Sequence, residues 1–219
     1  MYCYFIQPYL NKFANSLVGY ELLIRKREDN AWKLPPSFAS VPNEVQGQLL
    51  VEVAAKLARK IEFVAVNMNW TQFMDHDFAQ VLADTQKNIF PVALIIEVTE
   101  EPVDKQISFA QVVEQIMFYH HNGIQLTIDD VGTGINTYEK IKVLLPFANA
   151  IKFAMQNFRR SGNEDQIPAS LTFWKRVAQE NHLRLIVEGI ENAADDQLLD
   201  RLKITYRQGY YYSKPHRLE

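Results

Sequence analysis

Ile124-Gln125-Leu126-Thr127-Ile128-Asp129-Asp130-Val131-Gly132-Thr133-Gly134 carries a short apolar, β-branched run directly into two adjacent acids and a glycine-bracketed loop. The run reads as a strand, and the glycines mark a loop that needs backbone angles other residues avoid. The same device recurs along the chain. Leu17-Val18-Gly19-Tyr20 leads into Glu21, Phe63-Val64-Ala65-Val66 into Asn67, and Val92-Ala93-Leu94-Ile95-Ile96 into Glu97. Ala150-Ile151 leads into Lys152, and Leu183-Arg184-Leu185-Ile186-Val187 into Glu188. Parallel strands alternating with helices bring their C-terminal ends to one face, and in barrels of this kind that face carries the active site. The expected fold is therefore an α/β, TIM-barrel-like (β/α)8 with a polar ring at its mouth.

Residues 2–8 and 17–25 read as two strands of a hairpin across the polar turn 11–16, so the barrel is expected to open with one antiparallel strand near the N-terminus. Helical spacing predicts helices over 43–60, 71–85, 109–122 (closed by Gly123), 138–144 (stopped by Pro146), 169–181 and 195–202. Strands are expected to end at 67, 98, 129, 154 and 188. Residues 162–166 read as a loop, and 206–212 as an aromatic last strand whose tyrosines 210–212 alternate between core and exterior.

At 219 residues and 47% hydrophobic composition, the chain reads as one domain over 1–219. A net charge of −3 argues against broad attraction to nucleic acid polymers or to anionic membranes. Cys3 is the lone cysteine, so no internal disulfide forms and a reducing compartment fits. The N-terminus lacks the pattern of a secretory signal, and no run reaches the roughly 20 apolar residues of a membrane helix. A cytoplasmic protein is the expectation. His76, His120, His121, His182 and His216 lack metal-ligand spacing.

Taken singly, an acid at a strand end reads as a cap of the next helix. Taken together, clustered carboxylates repel one another and call for cations. Oxygen donors with one amide suit Mg²⁺ or Mn²⁺ better than Zn²⁺. Adjacent Asp129 and Asp130 point in different directions, so one could bridge two ions while the other binds one. Two such ions would serve the displacement of a phosphodiester.

Gln7-Pro8, Glu21-Leu22-Leu23-Ile24-Arg25, Val66-Asn67, Glu97-Val98-Thr99-Glu100, Asp129-Asp130-Val131-Gly132-Thr133-Gly134, Ile151-Lys152, Val187-Glu188-Gly189-Ile190-Glu191 and Gln208-Gly209-Tyr210 resemble, in order and spacing, the motifs of EAL domains. The resemblance implies hydrolysis of cyclic di-GMP to linear pGpG with two Mg²⁺ or Mn²⁺ ions. It implies that Glu21, Asn67, Glu97 and Asp129 hold one ion, and that Asp129, Asp130 and Glu188 hold the other. Lys152 and Glu188 would act on the attacking water, with Gln208 in support. Gln7, Leu23 and Arg25 would contact substrate, and Glu100 would anchor the loop 131–137. That loop and the helix after it form a dimer surface in relatives, so a homodimer is expected.

The chain departs from the family pattern at Leu22, at Val131 in place of a phenylalanine near the expected guanine, and at Ala154 in place of an aspartate. A final barrel helix is expected to be short or missing, with Leu218-Glu219 either its beginning or a remnant. Two functional readings stay open, an active phosphodiesterase and a degenerate relative that binds cyclic di-GMP or a protein partner without cleaving it.

Overall fold

The computed structural model describes residues 1–37, 40–58, 60–99 and 107–218. In chain order the elements are β1 (Tyr2–Asn11), β2 (Ser16–Glu28), β3 (Ala31–Lys33), α1 (Asn43–Leu57), β4 (Phe63–Met68), α2 (Trp70–Phe73), α3 (His76–Ile89), β5 (Ala93–Val98) and α4 (Phe109–His121). They continue as β6 (Gln125–Ile128), α5 (Tyr138–Ile141), β7 (Ala150–Ala154), α6 (Met155–Arg160), α7 (Ile167–Glu180), β8 (Arg184–Glu188), α8 (Ala193–Arg201), β9 (Tyr206–Arg207) and β10 (His216–Arg217).

Strands β2, β4, β5, β6, β7, β8 and β9 lie side by side in that order and run parallel. β1 pairs antiparallel with both β2 and β9 and so closes the barrel as its single reversed strand. β3 and β10 extend the sheet outside the ring, against β2 and β1.

Alternation along each strand sorts the side chains. Outward-facing residues pack under the helices in two clusters. One joins α1, α3 and α4 to β4 and β5 through residues such as Leu50, Leu82, Ile116, Val64 and Leu94. The other joins α7 and α8 to β7 and β8 through Leu171, Trp174, Leu199, Ile151 and Val187. A third cluster, Tyr9, Phe63, Ala65, Ile95, Ala150 and Ile186, fills the lower barrel interior. Two residues further toward the mouth on the same faces stand Gln7, Asn67, Glu97, Lys152 and Glu188. The polar ring is the storey above the apolar floor.

Several expectations change in the structure. The helix expected over 71–85 is two helices, because Asp75 accepts from the Phe78 N–H and caps a new start. α6 occupies a segment to which no element was assigned. Its cap position is Ala154, with no side chain to mark a beginning. α7 starts at Ile167 rather than 169, using Pro168 in its first turn. The expected strand 206–212 ends at Arg207. Gly209 there lies so close to Ile190 that a Cβ would stand 2.2 Å from the Ile190 carbonyl oxygen, and Tyr210 and Tyr211 sit exposed in the turn that follows. Among the described residues no helix follows α8, and none is long and apolar enough to cross a membrane.

Candidate active site

Lys152 sits at the centre of the ring. It is the middle residue of β7, fully buried, and its Nζ lies 2.9 Å from Glu97 Oε2, 3.2 Å from Glu188 Oε2, 3.6 Å from Asp129 Oδ2 and 3.8 Å from Glu21 Oε2. Four of the sequence-predicted site residues, drawn from four strands or strand ends, thus converge on the ammonium of a fifth. Asn67 and Gln208 join from β4 and the end of β9: Asn67 Nδ2 donates to Glu21 Oε1 at 2.5 Å and Gln208 Nε2 to Glu21 Oε2 at 2.8 Å. Asp130, in a left-handed conformation (φ 52°), donates its N–H to Asp129 Oδ1 at 2.9 Å. The turn this creates leaves an oxygen of each neighbouring carboxylate within 4.8 Å of the other and of Glu188.

The electrostatics are those of a site short of positive charge. Burial pushes the Glu97 carboxyl up to about 7, with Glu21 adding to the rise and Lys152 and Tyr9 opposing it. Burial likewise holds Asp129 well above the usual carboxylate range, against the pull of Lys152 and reinforced by Glu188, Glu97 and Asp130. For Lys152, burial alone would favour the neutral amine, but Asp129, Glu188, Glu21 and Glu97 outweigh it and keep the ammonium charged. Five carboxylates against one ammonium leave a formal charge of −4 when all are ionised, a balance that two divalent cations would close.

The donors fit such ions. Asp129, Asp130 and Glu188 can present oxygens within 4.8 Å of one another, all hard ligands, with no histidine or cysteine among them. Glu21, Asn67 and Glu97 stand on the adjoining arc, knitted to Gln208, Tyr9 and Lys152 by hydrogen bonds.

A cleft of about 290 Å³ opens beside the ring, lined by Gln7, Glu21, Leu23, Gln156, Arg160, Glu188, Gly189, Glu191, Gln208, Gly209 and Tyr210. Gln7 and Leu23 therefore border the space where a ligand would lie. Arg25 is two residues beyond Leu23 on the same face, outside the cleft wall, with its guanidinium over the Phe5 ring and its Nη1 donating to Ile24 O. Val131, expected near a base, is instead buried in the second helical cluster and does not border the cleft. Glu100 lies outside the described residues.

The sequence reading missed four contributors. Tyr9 donates its hydroxyl to Glu97 Oε1 at 2.7 Å, and the count of two from Gln7 along β1 would have found it. Gln156 and Asn157 reach Glu188 and Asp130 from α6, and Asn136 holds the Asp129 carbonyl at 2.6 Å. These three lie on loops or on a helix with no sequence marker.

The chain is 27% identical to the signaling protein YkoW of Bacillus subtilis over 95% of its own length and 27% of YkoW's. It is 24% identical to the probable cyclic di-GMP phosphodiesterase PdeG of Escherichia coli, over 96% of its length and 44% of that protein's. It thus spans less than half of these curated relatives. Among solved structures, the EAL domain protein from Listeria monocytogenes superposes with a TM-score of 0.78 at 18% identity, covering 99% of this chain and 89% of that one. The FimX EAL domain from Pseudomonas aeruginosa, solved with c-di-GMP bound, gives 0.77 at 19% identity, covering 99% and 91%. The sequence profile described as "EAL domain" matches residues 2–215, and on that match, spanning nearly every residue, the chain belongs to the EAL domain family.

Proposed function

We propose that the chain is a cyclic di-GMP phosphodiesterase that opens the ring to linear pGpG with two divalent cations, Mg²⁺ or Mn²⁺. The observation that carries this reading is the buried Lys152 ammonium, within 4 Å of four carboxylates from four different strands or strand ends. In this reading Glu21, Asn67, Glu97 and Asp129 hold one cation, and Asp129, Asp130 and Glu188 the other. Bound cations would supply Lewis acidity to the attacking water and offset the charge developing on the phosphoryl group.

The protein's own groups do the rest. Glu188 accepts a proton from the water, and Lys152, donating to Glu97 and close to Glu188, keeps the attacking oxygen in register. Gln208 fixes Glu21 from across β1. Water adds to phosphorus, the bond from phosphorus to the 3′-oxygen breaks, and that oxygen leaves with a proton, giving a 5′-phosphate and a free 3′-hydroxyl on one linear molecule. Gln7 and Leu23 border the ligand in the cleft, and Arg25 offers its forked donors to a phosphate further along the same face. The family reading also makes the protein cytoplasmic and a homodimer through the loop 131–137 and α5.

One observation favours the second reading, a receptor without turnover. Ala154 is buried and registers opposite Glu188, where the family pattern has a carboxylate. Incubation of the purified chain with cyclic di-GMP and Mn²⁺ or Mg²⁺, with products separated by chromatography and Glu188→Ala as control, distinguishes the two. The phosphodiesterase reading expects pGpG from the unmodified chain and none from the variant. Tight binding with no product would establish the receptor.

A further inference from the structure

α6 follows Ala154 directly, and its first turn sets two neutral amides against two acids. Gln156 Nε2 donates to Glu188 Oε1, and Asn157 Nδ2 donates to Asp130 Oδ1 at 2.6 Å. Glu188 and Asp130 are, with Asp129, the carboxylates whose oxygens gather within 4.8 Å. We propose that Gln156 and Asn157 are positioning residues of this cation site, fixing the orientation of Glu188 and Asp130 in place of the carboxylate that Ala154 lacks. The inference rests on the two-cation reading above.

The chemistry of the donors is the first support. An ionised carboxylate only accepts, so each amide must turn its NH₂ toward the acid. Such a donor locks the acid's rotation while leaving its charge available to an ion. A lysine or arginine in the same place would orient the acid and also cancel it. α6 carries two arginines, Arg159 and Arg160, one residue beyond the amides, and neither does this. Arg159 bonds the Gly189 carbonyl at 2.7 Å and Asp195 at 2.7 Å, and Arg160 stands on the cleft's outer wall.

The backbone is the second support. Gly189 follows Glu188 with a φ of 73°, and a Cβ there would lie 1.8 Å from Gln156 Oε1. A side chain at 189 is thus incompatible with Gln156 in this place. The third support is a cost the chain tolerates: with its NH₂ given to Glu188, Gln156 Oε1 is buried without a hydrogen-bond partner. A glutamine chosen for packing or for its own satisfaction would not be held this way. Fixing the partners of metal ligands is a recognised determinant of affinity, with typical losses of about 10- to 100-fold when such a partner is removed.

The test is Mn²⁺ binding to the full chain, followed by calorimetry and by the electron paramagnetic resonance signal of free Mn²⁺. Gln156→Met and Asn157→Leu keep side-chain bulk and remove the donors, and cation-free melting curves verify that each variant folds. The unmodified chain is expected to take up two ions. Each variant should bind one of them about 10- to 100-fold more weakly, keep the other, and lose kcat with KM for cyclic di-GMP unchanged. Adding Ala154→Asp should restore the weakened ion in Gln156→Met and change the unmodified chain far less. If the unmodified chain takes up two ions and both folded variants match it within twofold, this inference is overturned alone. If the unmodified chain takes up none, the phosphodiesterase reading falls, and this inference with it.

Discussion

Glu97 shows how much a single side chain depends on its neighbours in this barrel. It is fully buried, and its two oxygens are taken by the Tyr9 hydroxyl at 2.7 Å and the Lys152 ammonium at 2.9 Å. Tyr9→Phe keeps the ring, on which Lys152 also rests with its Nζ 5.7 Å from the centroid, and deletes only the donor. Hydrogen bonds to charged groups are worth about 1.5–3 kcal/mol, so urea denaturation of the cation-free variant should show a loss of that order. An unchanged midpoint would mean that Glu97 finds a replacement donor. Lys152→Met removes the one cation facing four acids and is expected to lower cyclic di-GMP turnover at least ~100-fold, read from initial rates of pGpG formation. Lys152 and its acids were legible because each closes an apolar run in the sequence. Tyr9 was not, because β1 runs opposite to its neighbours and the residue sits one storey below the mouth, inside an apolar floor where only the count of two from Gln7 marks it.

At the scale of elements, the pieces that announce themselves are those with chemical punctuation. Gly123 closes α4 where the spacing placed it, whereas the helix expected over 138–144 stops at Ile141 and Pro146 lies in a short 3-10 turn, Leu145–Phe147, after it. α6 has an alanine at its cap, and β9 is only two residues long because Gly209 turns the chain against Ile190. Gly209→Ala should therefore cost about 1–3 kcal/mol by forcing that contact apart, and should lower turnover as well, since Gln208 N–H bonds Val187 O at 2.9 Å and carries Gln208 to Glu21. Comparing melting temperature with kcat for this one variant checks both. The buried Arg207 of β9 donates to Asp196 and forms an ion pair with Asp200 of α8 at 2.8 Å, while Asp196 also accepts from Tyr212 and from Lys12 at 2.6 Å. Burial would raise the Asp196 carboxyl, but hydrogen bonds from Lys12, Tyr212 and Arg207 outweigh it and hold it below its ordinary value. A depressed folded value adds stability that is complete above the unfolded pKa of about 3.9 and is lost as pH falls through the folded one. Asp196→Ala should cost about 1.5–3 kcal/mol near neutral pH by removing one acidic partner of Arg207, which keeps its ion pair with Asp200, and the gap between variant and parent melting temperatures should narrow below about pH 4. A gap that stays constant to pH 2 would show that the lock is not ionic.

The whole molecule is a barrel closed by one reversed strand, with an apolar floor and a roof of like charges. Such a roof cannot be at its most stable without cations, since burial pushes Glu97 and Asp129 toward protonation, helped by Glu21 at the first and by Glu188, Glu97 and Asp130 at the second. Divalent ions that bind the folded ring and not the unfolded chain stabilise by mass action, about 2.7 kcal/mol at a hundredfold excess over Kd. For a domain of this size each kcal/mol moves the melting temperature by about 2–4 °C. The chelated protein should therefore melt roughly 5–10 °C lower than the same protein in Mn²⁺ at that excess, and an equal ionic strength of potassium chloride should not reproduce the gain. Asp129→Asn, which weakens the ligand proposed to be shared while preserving its shape, should remove most of the gain and raise the melting temperature of the chelated form by relieving repulsion. A melting temperature indifferent to Mn²⁺ up to millimolar concentration would mean that Lys152 alone balances the ring, and that the acids of this barrel are held by hydrogen bonds for a purpose other than binding metal.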